Sequence, residues 1–160
     1  MTRLHQQIET RLPLDAAFAF VADFANAMHW DPGVATSESI EAGPTGLGAR
    51  YRLGVRMRGR VTPMEYRITT FEAPRRVVLT GTGPGISAVD EIRFEADGIV
   101  TRIDYTADIR LGGLPWLAQP FLGGAFAKLA HEALDGMRRA LDARAVERDA
   151  AQASAATSLR

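Results

Sequence analysis

One carboxylate stands out among the residues whose type and spacing could do chemistry. Asp90 alternates with Ile92 and Phe94 in the stretch Ser87 to Ala96, a parity that turns it toward the apolar side of a strand. Removed from water there, its proton would be held more tightly than an ordinary aspartic acid holds it, which suits proton transfer near neutral pH. A bulge near Gly85 would instead send the carboxylate to solvent or to an arginine. Three tyrosines, Tyr51, Tyr66 and Tyr105, also fall on inward parities. Together they could hydrogen-bond a ligand carbonyl or polarise a ketone, or simply plug a core with their hydroxyls near its rim.

Other chemistry-bearing residues point to less. His29 precedes Trp30 and Asp31, but residues two apart on a helix do not face each other, so an oriented base is not expected there. Trp30 fits a structural role, closing a gap between helices and sheet. The remaining histidines, His5 and His131, are scattered, and neither His-x-x-x-His nor a carboxylate cluster with ligand spacing is present, so no metal is expected. Gly81-Thr82-Gly83-Pro84-Gly85 has no lysine and opens no helix, which excludes a phosphate loop and leaves a flexible rim. Arg50, Arg52, Arg56 and Arg58 form a row on one strand face with acids next door, the pattern of a solvated, salt-bridged surface. LPWLAQPFLGG, with Trp116, Leu117, Phe121 and Leu122, is apolar enough to be a cavity lip, a membrane or partner contact, or a buried connection.

Residues so placed require particular elements. Arg3 to Arg11 reads as a first strand, stopped at Pro13. AAFAFVADF after Asp15 has helical spacing, and Asn26 to Trp30 adds a second short turn before Asp31-Pro32-Gly33 breaks the chain. Period two then takes over: Ala49 to Arg58, a strand entered through Gly59-Arg60 and containing Met64 to Thr70, VVLTGTG, Ser87 to Ala96, and Ile99 to Leu111 after the tight-turn dipeptide Asp97-Gly98. From Leu114 the period is helical again, with Leu122, Phe126, Leu129, Ala133, Met137 and Leu141 on one stripe. The tail from residue 146 has almost nothing to bury and is expected to fray or be disordered.

The predicted architecture is α+β: six or seven antiparallel strands curved around one long C-terminal helix, with two short helices after the first strand, as a single domain over 1–145. Its inner face mixes aromatics, methionines and isolated polar atoms where a solid core would use leucine, isoleucine and valine. That mixture implies a cavity between sheet and helix, lined by Tyr51, Met57, Met64, Tyr66, Thr70, Tyr105, Phe126 and Ala130, with Asp90 as the candidate catalytic group.

The 160 residues suit one domain, and 46% apolar with 24% charged residues is ordinary globular composition. Nineteen Lys and Arg balance nineteen Asp and Glu, so no overall field draws in nucleic acid. The chain has no cysteine, which removes disulfides, thiolate nucleophiles and thiolate metal sites. MTRLHQQIET lacks a signal-peptide run, no stretch reaches membrane-spanning length, and the cytoplasm is the expected compartment.

The segments PLDAAFAFVADFANAMHWDPGV, GPTGLGARYRL, ITTFEAPRRVVL and TRIDYTADIRLGG resemble the helix-grip superfamily, which includes START lipid-transfer domains, the major birch pollen allergen and bacterial polyketide cyclase/dehydrase proteins. The last branch is the most similar, over residues 3 to 144. Trp30, Gly46, Gly48 and Arg76 match framework positions of that family. The resemblance implies a hydrophobic ligand (lipid, polyketide or aromatic compound) and no cofactor, and leaves turnover open. Three functions follow as expectations. They are a binder or carrier of such a ligand, an aromatase/cyclase or dehydratase using Asp90 and the tyrosines, and a regulatory protein docking through Trp116 to Leu122. The expected partner is the apolar ligand, with transient membrane contact left open and the chain acting as monomer or homodimer.

Overall fold

The computed structural model describes residues 1–113 and 119–159, the first four of the latter by backbone alone. Seven strands form one antiparallel sheet in the order β1-β7-β6-β5-β4-β3-β2. In chain order they are β1 Thr2–Thr10, β2 Val34–Ser39, β3 Arg50–Met57, β4 Arg60–Glu72, β5 Arg76–Gly83, β6 Ile86–Asp97 and β7 Val100–Leu111. Helix α1 (Leu14–Ala22) and a 3-10 helix (Phe24–His29) connect β1 to β2, and helix α2 spans Gln119–Ser158. The sheet curls into a half-barrel around α2.

Local chemistry explains the turns. Between β3 and β4 the chain reverses over Arg58 and Gly59, both at positive φ (49° and 76°), one residue earlier than the Gly59-Arg60 turn expected from sequence. Gly98 sits at φ 62° in the β6–β7 hairpin, where Asp97 pairs with Val100. The 3-10 helix is started by Asp23, whose carboxylate accepts the Ala25 backbone N–H at 3.1 Å.

Alternation places Tyr51, Leu53, Met64, Tyr66, Ile68, Leu79, Asp90, Ile92, Phe94 and Ile103 on the buried face. The outer face carries arginines, several of them ion-paired. Arg52 reaches Glu38 at 3.0 Å, Arg76 reaches Glu91 at 2.8 Å, and Arg50 lies between Glu41 and Glu65.

The two ends of the sheet differ. Near α1, Phe18 packs edge-on against Phe71 and Phe94 at 5.3 and 5.1 Å, and Met137, Leu141 and Ala145 of α2 are buried there. Thr10 donates its hydroxyl to Asp142 at 2.8 Å and Arg144 stacks over Phe20 at 3.8 Å, so this half of the helix is tied down by polar as well as apolar contacts. Gly136 lies against the Trp30 backbone so closely that a Cβ there would overlap the Trp30 carbonyl oxygen. Only glycine fits at that crossing.

Toward its N-terminus α2 is less covered. Leu129, expected on the buried stripe, is 45% exposed where it borders the cavity, and Leu134, off that stripe, is buried. Beyond Ala145 the segment expected to fray continues as helix through Ser158. Its alanines favour helix without needing a partner surface, and its residues are exposed.

Candidate functional site

A cavity of about 160 Å³ lies between α2 and the sheet. It is bounded by Met57 and Leu53 of β3, Met64 and Tyr66 of β4, Ala88 and Asp90 of β6, Tyr105 and Ala107 of β7, Trp30 and Asp31 beyond the 3-10 helix, and Phe126 and Ala130 of α2. Small residues leave the space: Ala88 of β6 and Ala107 of β7 present only methyl groups to it.

Of the residues expected from sequence, Met57, Met64, Tyr66, Tyr105, Asp90, Phe126 and Ala130 meet at this cavity. Tyr51 and Thr70 do not. Tyr51 is 1% exposed, packs beside Phe24, and donates its hydroxyl to Thr45 Oγ1 at 3.2 Å, closing the core where β3 begins. Thr70 follows a bulge: Ile68 pairs with Leu79 but Thr70 with Val78, so parity changes and Phe71 packs against Phe18 instead. The Trp116–Leu122 docking segment lies outside the described residues, apart from the helical backbone from Gln119.

Asp90 is 5% exposed in the middle of β6, opposite Leu79 and Ala107. Burial pushes its pKa up to about 7, against the pull of a hydrogen bond from the Tyr105 hydroxyl, and nearby Asp31 and Asp108 push in the same direction as burial. The bulge that would have turned this side chain outward is absent from β6, whose pairing to both neighbours runs unbroken.

A second acid was missed in the sequence. Asp31 follows the 3-10 helix, after Trp30, and accepts the Gly33 backbone N–H at 2.7 Å, a local turn that Asp-Pro-Gly chemistry makes readable. What could not be read is its burial, which raises its pKa to about 6 even though the Gly33 bond opposes the shift. Asp31 and Asp90 therefore line one cavity as two acids whose protons are held more tightly than an ordinary aspartic acid holds its own, Asp90 the more strongly. Tyr66 and Tyr105 are raised well above the usual phenol value, first by burial and then by the Asp90 charge, and both stay protonated donors.

Trp30 is buried between Phe24 and Tyr105, and its indole N–H has no hydrogen-bond partner among the described residues. An orphaned donor in a cavity wall can be satisfied by a ligand oxygen. No group of three or more metal-ligating side chains occurs among the described residues. His5 bonds Asp104 at 3.2 Å on the outer side, while His29 and His131 are exposed.

Sheet, helix and intervening cavity define a helix-grip protein. Structures of the same architecture include a START superfamily protein from Mycobacterium smegmatis, 15% identical, with a TM-score of 0.69 over 92% of this chain and 99% of that one. They also include the Zhui aromatase/cyclase from Streptomyces sp. R1128, 17% identical, with a TM-score of 0.70 over 91% and 94%. A protein from Thermus thermophilus is 16% identical, with a TM-score of 0.70 over 91% and 98%. At these identities the likeness is one of fold. Residues 1–142 match the family described as polyketide cyclase / dehydrase and lipid transport, and the chain belongs to that family. No functionally curated protein gives a match by sequence. Among the described residues no helix is long and apolar enough to cross a membrane.

Proposed function

We propose that the protein binds an apolar small molecule of about one aromatic ring in the cavity between α2 and the sheet. The observation that carries this reading is the cavity itself: about 160 Å³, walled mainly by apolar and aromatic side chains, with polar groups gathered at Trp30, Asp31, Tyr66, Asp90 and Tyr105. An apolar void of about 150 Å³ is enough to hold benzene. A lipid chain or an extended polyketide is larger, and would enter only with α2 displaced from the sheet.

Native mass spectrometry after incubation with single-ring aromatics tests the reading. Wild type should carry one adduct, and Ala88→Leu, which fills the cavity from β6, should carry none. Equal adducts in the two proteins, or none in wild type across the panel, would overturn it.

A second reading is favoured by the Asp31–Asp90 pair. An acid with a pKa of about 7 on the same cavity wall as one with a pKa of about 6 can give and take a proton on a carbonyl compound, as an aromatase/cyclase or dehydratase requires, with the Tyr105 hydroxyl orienting Asp90. One of the fold neighbours, the Streptomyces protein, is itself named as an aromatase/cyclase. If this reading holds, Asp90→Asn abolishes turnover of a poly-ketone substrate while leaving its binding nearly intact; undiminished turnover would sink it.

A further inference from the structure

Two carboxyl groups line one small apolar cavity, and the described residues pair neither with a cation. Among the described residues no Lys, Arg or His forms an ion pair with Asp31 or Asp90, although the outer face pairs acid with base repeatedly. The basic residue bordering the cavity, Arg56, lies on β3 with its guanidinium within 3.5 Å of the Pro32 carbonyl oxygen. Helix α2 contributes Phe126, Leu129, Ala130, Ala133 and Leu134, none of them titratable. The other titratable groups on the cavity wall are Tyr66 on β4 and Tyr105 on β7, while Asp108 lies on the opposite face of β7 beside Arg3 and acts on Asp90 only through its charge. An unpaired buried carboxylate costs several kcal/mol, so such a group either keeps its proton or meets a positive charge brought from outside.

The same wall is aromatic. Phe24 packs against Tyr66 at 5.3 Å, and Trp30 packs against Phe24 and Tyr105 at 6.2 and 6.3 Å. Aromatic faces beside carboxylates are the chemistry that recognises organic cations, the rings contributing through their quadrupoles and the acids through charge-assisted hydrogen bonds.

We propose that the cavity selects an amine: a ligand with an apolar body of about one ring and a protonated amino group seated between Asp31 and Asp90. The inference rests on the binding reading above and names its ligand class. A neutral ligand leaves the two acids to keep their protons. An ammonium ion lets them ionise, so amine binding releases protons near neutral pH and strengthens as the pH rises through the titration of the pair.

Isothermal titration of the full chain with 2-phenylethylamine and with 2-phenylethanol provides the test, because the two differ only in the charged head and the amine stays protonated at pH 8. The amine should bind at least tenfold more tightly than the alcohol at pH 8, and the preference should shrink toward unity at pH 5. Asp90→Asn and Asp31→Asn should each reduce it, and titrations in buffers of different ionisation enthalpy at pH 7 should show proton release with the amine and none with the alcohol. Alcohol binding as tight as amine binding at pH 8, or an amine preference unchanged in both variants, would overturn the inference and leave the cavity reading standing. Failure of both ligands to bind would overturn the two together. Loss of both in Ala88→Leu assigns the measured binding to this cavity; retention there would place it elsewhere and overturn the inference.

Discussion

The two ends of the sheet are built from the same strands and covered by the same helix, yet they solve different problems. At the α1 end, Phe18, Phe71, Phe94, Met137 and Leu141 fill the space, and Thr10–Asp142 and Arg144–Phe20 fasten the helix. At the other end alanines, methionines, tyrosines and two acids stand around an opening. One end carries stability. The other gives stability up by burying carboxyl groups without cations, a cost that a binding site tolerates and a plain core does not.

Substitutions at the two ends should separate accordingly. The largest effect belongs to the crossing between them: Gly136→Val forces a side chain into the Trp30 backbone and should lower stability by about 3 kcal/mol or more, read as a shift in the urea midpoint. Next, Leu141→Ala in the packed end should cost about 3 kcal/mol, whereas Leu129→Ala over the cavity, at a half-exposed position, should cost less than about 1 kcal/mol. Equal losses at the two positions would erase the distinction between the ends.

The pH dependence sharpens it. Both acids have folded pKa values above their unfolded ones, so the unfolded chain binds fewer protons between the two values and stability falls as the pH rises. For Asp90 this loss runs from about pH 4 to about pH 7 and is complete above that. Asp90→Asn should therefore be more stable than wild type at pH 8, by on the order of 2 kcal/mol, with the gap closing toward pH 4. A wild-type advantage at pH 8 would contradict the burial assigned to this carboxylate. Ala88→Leu should show the smallest change, within about 1 kcal/mol, while removing ligand binding; a large stability loss would mean that the space is not there to be filled.

Much of this is legible in the sequence, and the failures have physical causes. Strict alternation from Ala49 to Met57 and from Ile103 to Leu111 marks the sheet and its inner face, because one-sided burial imposes period two. Alternation also places Asp90 correctly, since β6 is unbroken. It fails at Thr70 because a single bulged residue between Ile68 and Thr70 reverses parity without any marker in composition. Tyr51 has the right parity but stands too far along β3, and parity carries no information on position along the cavity. Asp31 escapes a sequence reading because its local pattern offers only His29 as a partner, on a helix that keeps the two apart. Its burial arises from strands and helix far away in sequence, where local patterns are silent.

Helix α2 does more than pack. From Gly136 it runs to Ser158, about 33 Å of continuous rod, and past Ala145 its described residues are exposed. A tilt of roughly ten degrees about the point where Gly136 meets Trp30 would break the Thr10–Asp142 bond and the Arg144–Phe20 contact and carry the far tip through about 6 Å. Because the chain has no cysteine of its own, one thiol placed near the tip and one on the outer sheet would convert such a tilt into a distance measurable by paired spin labels.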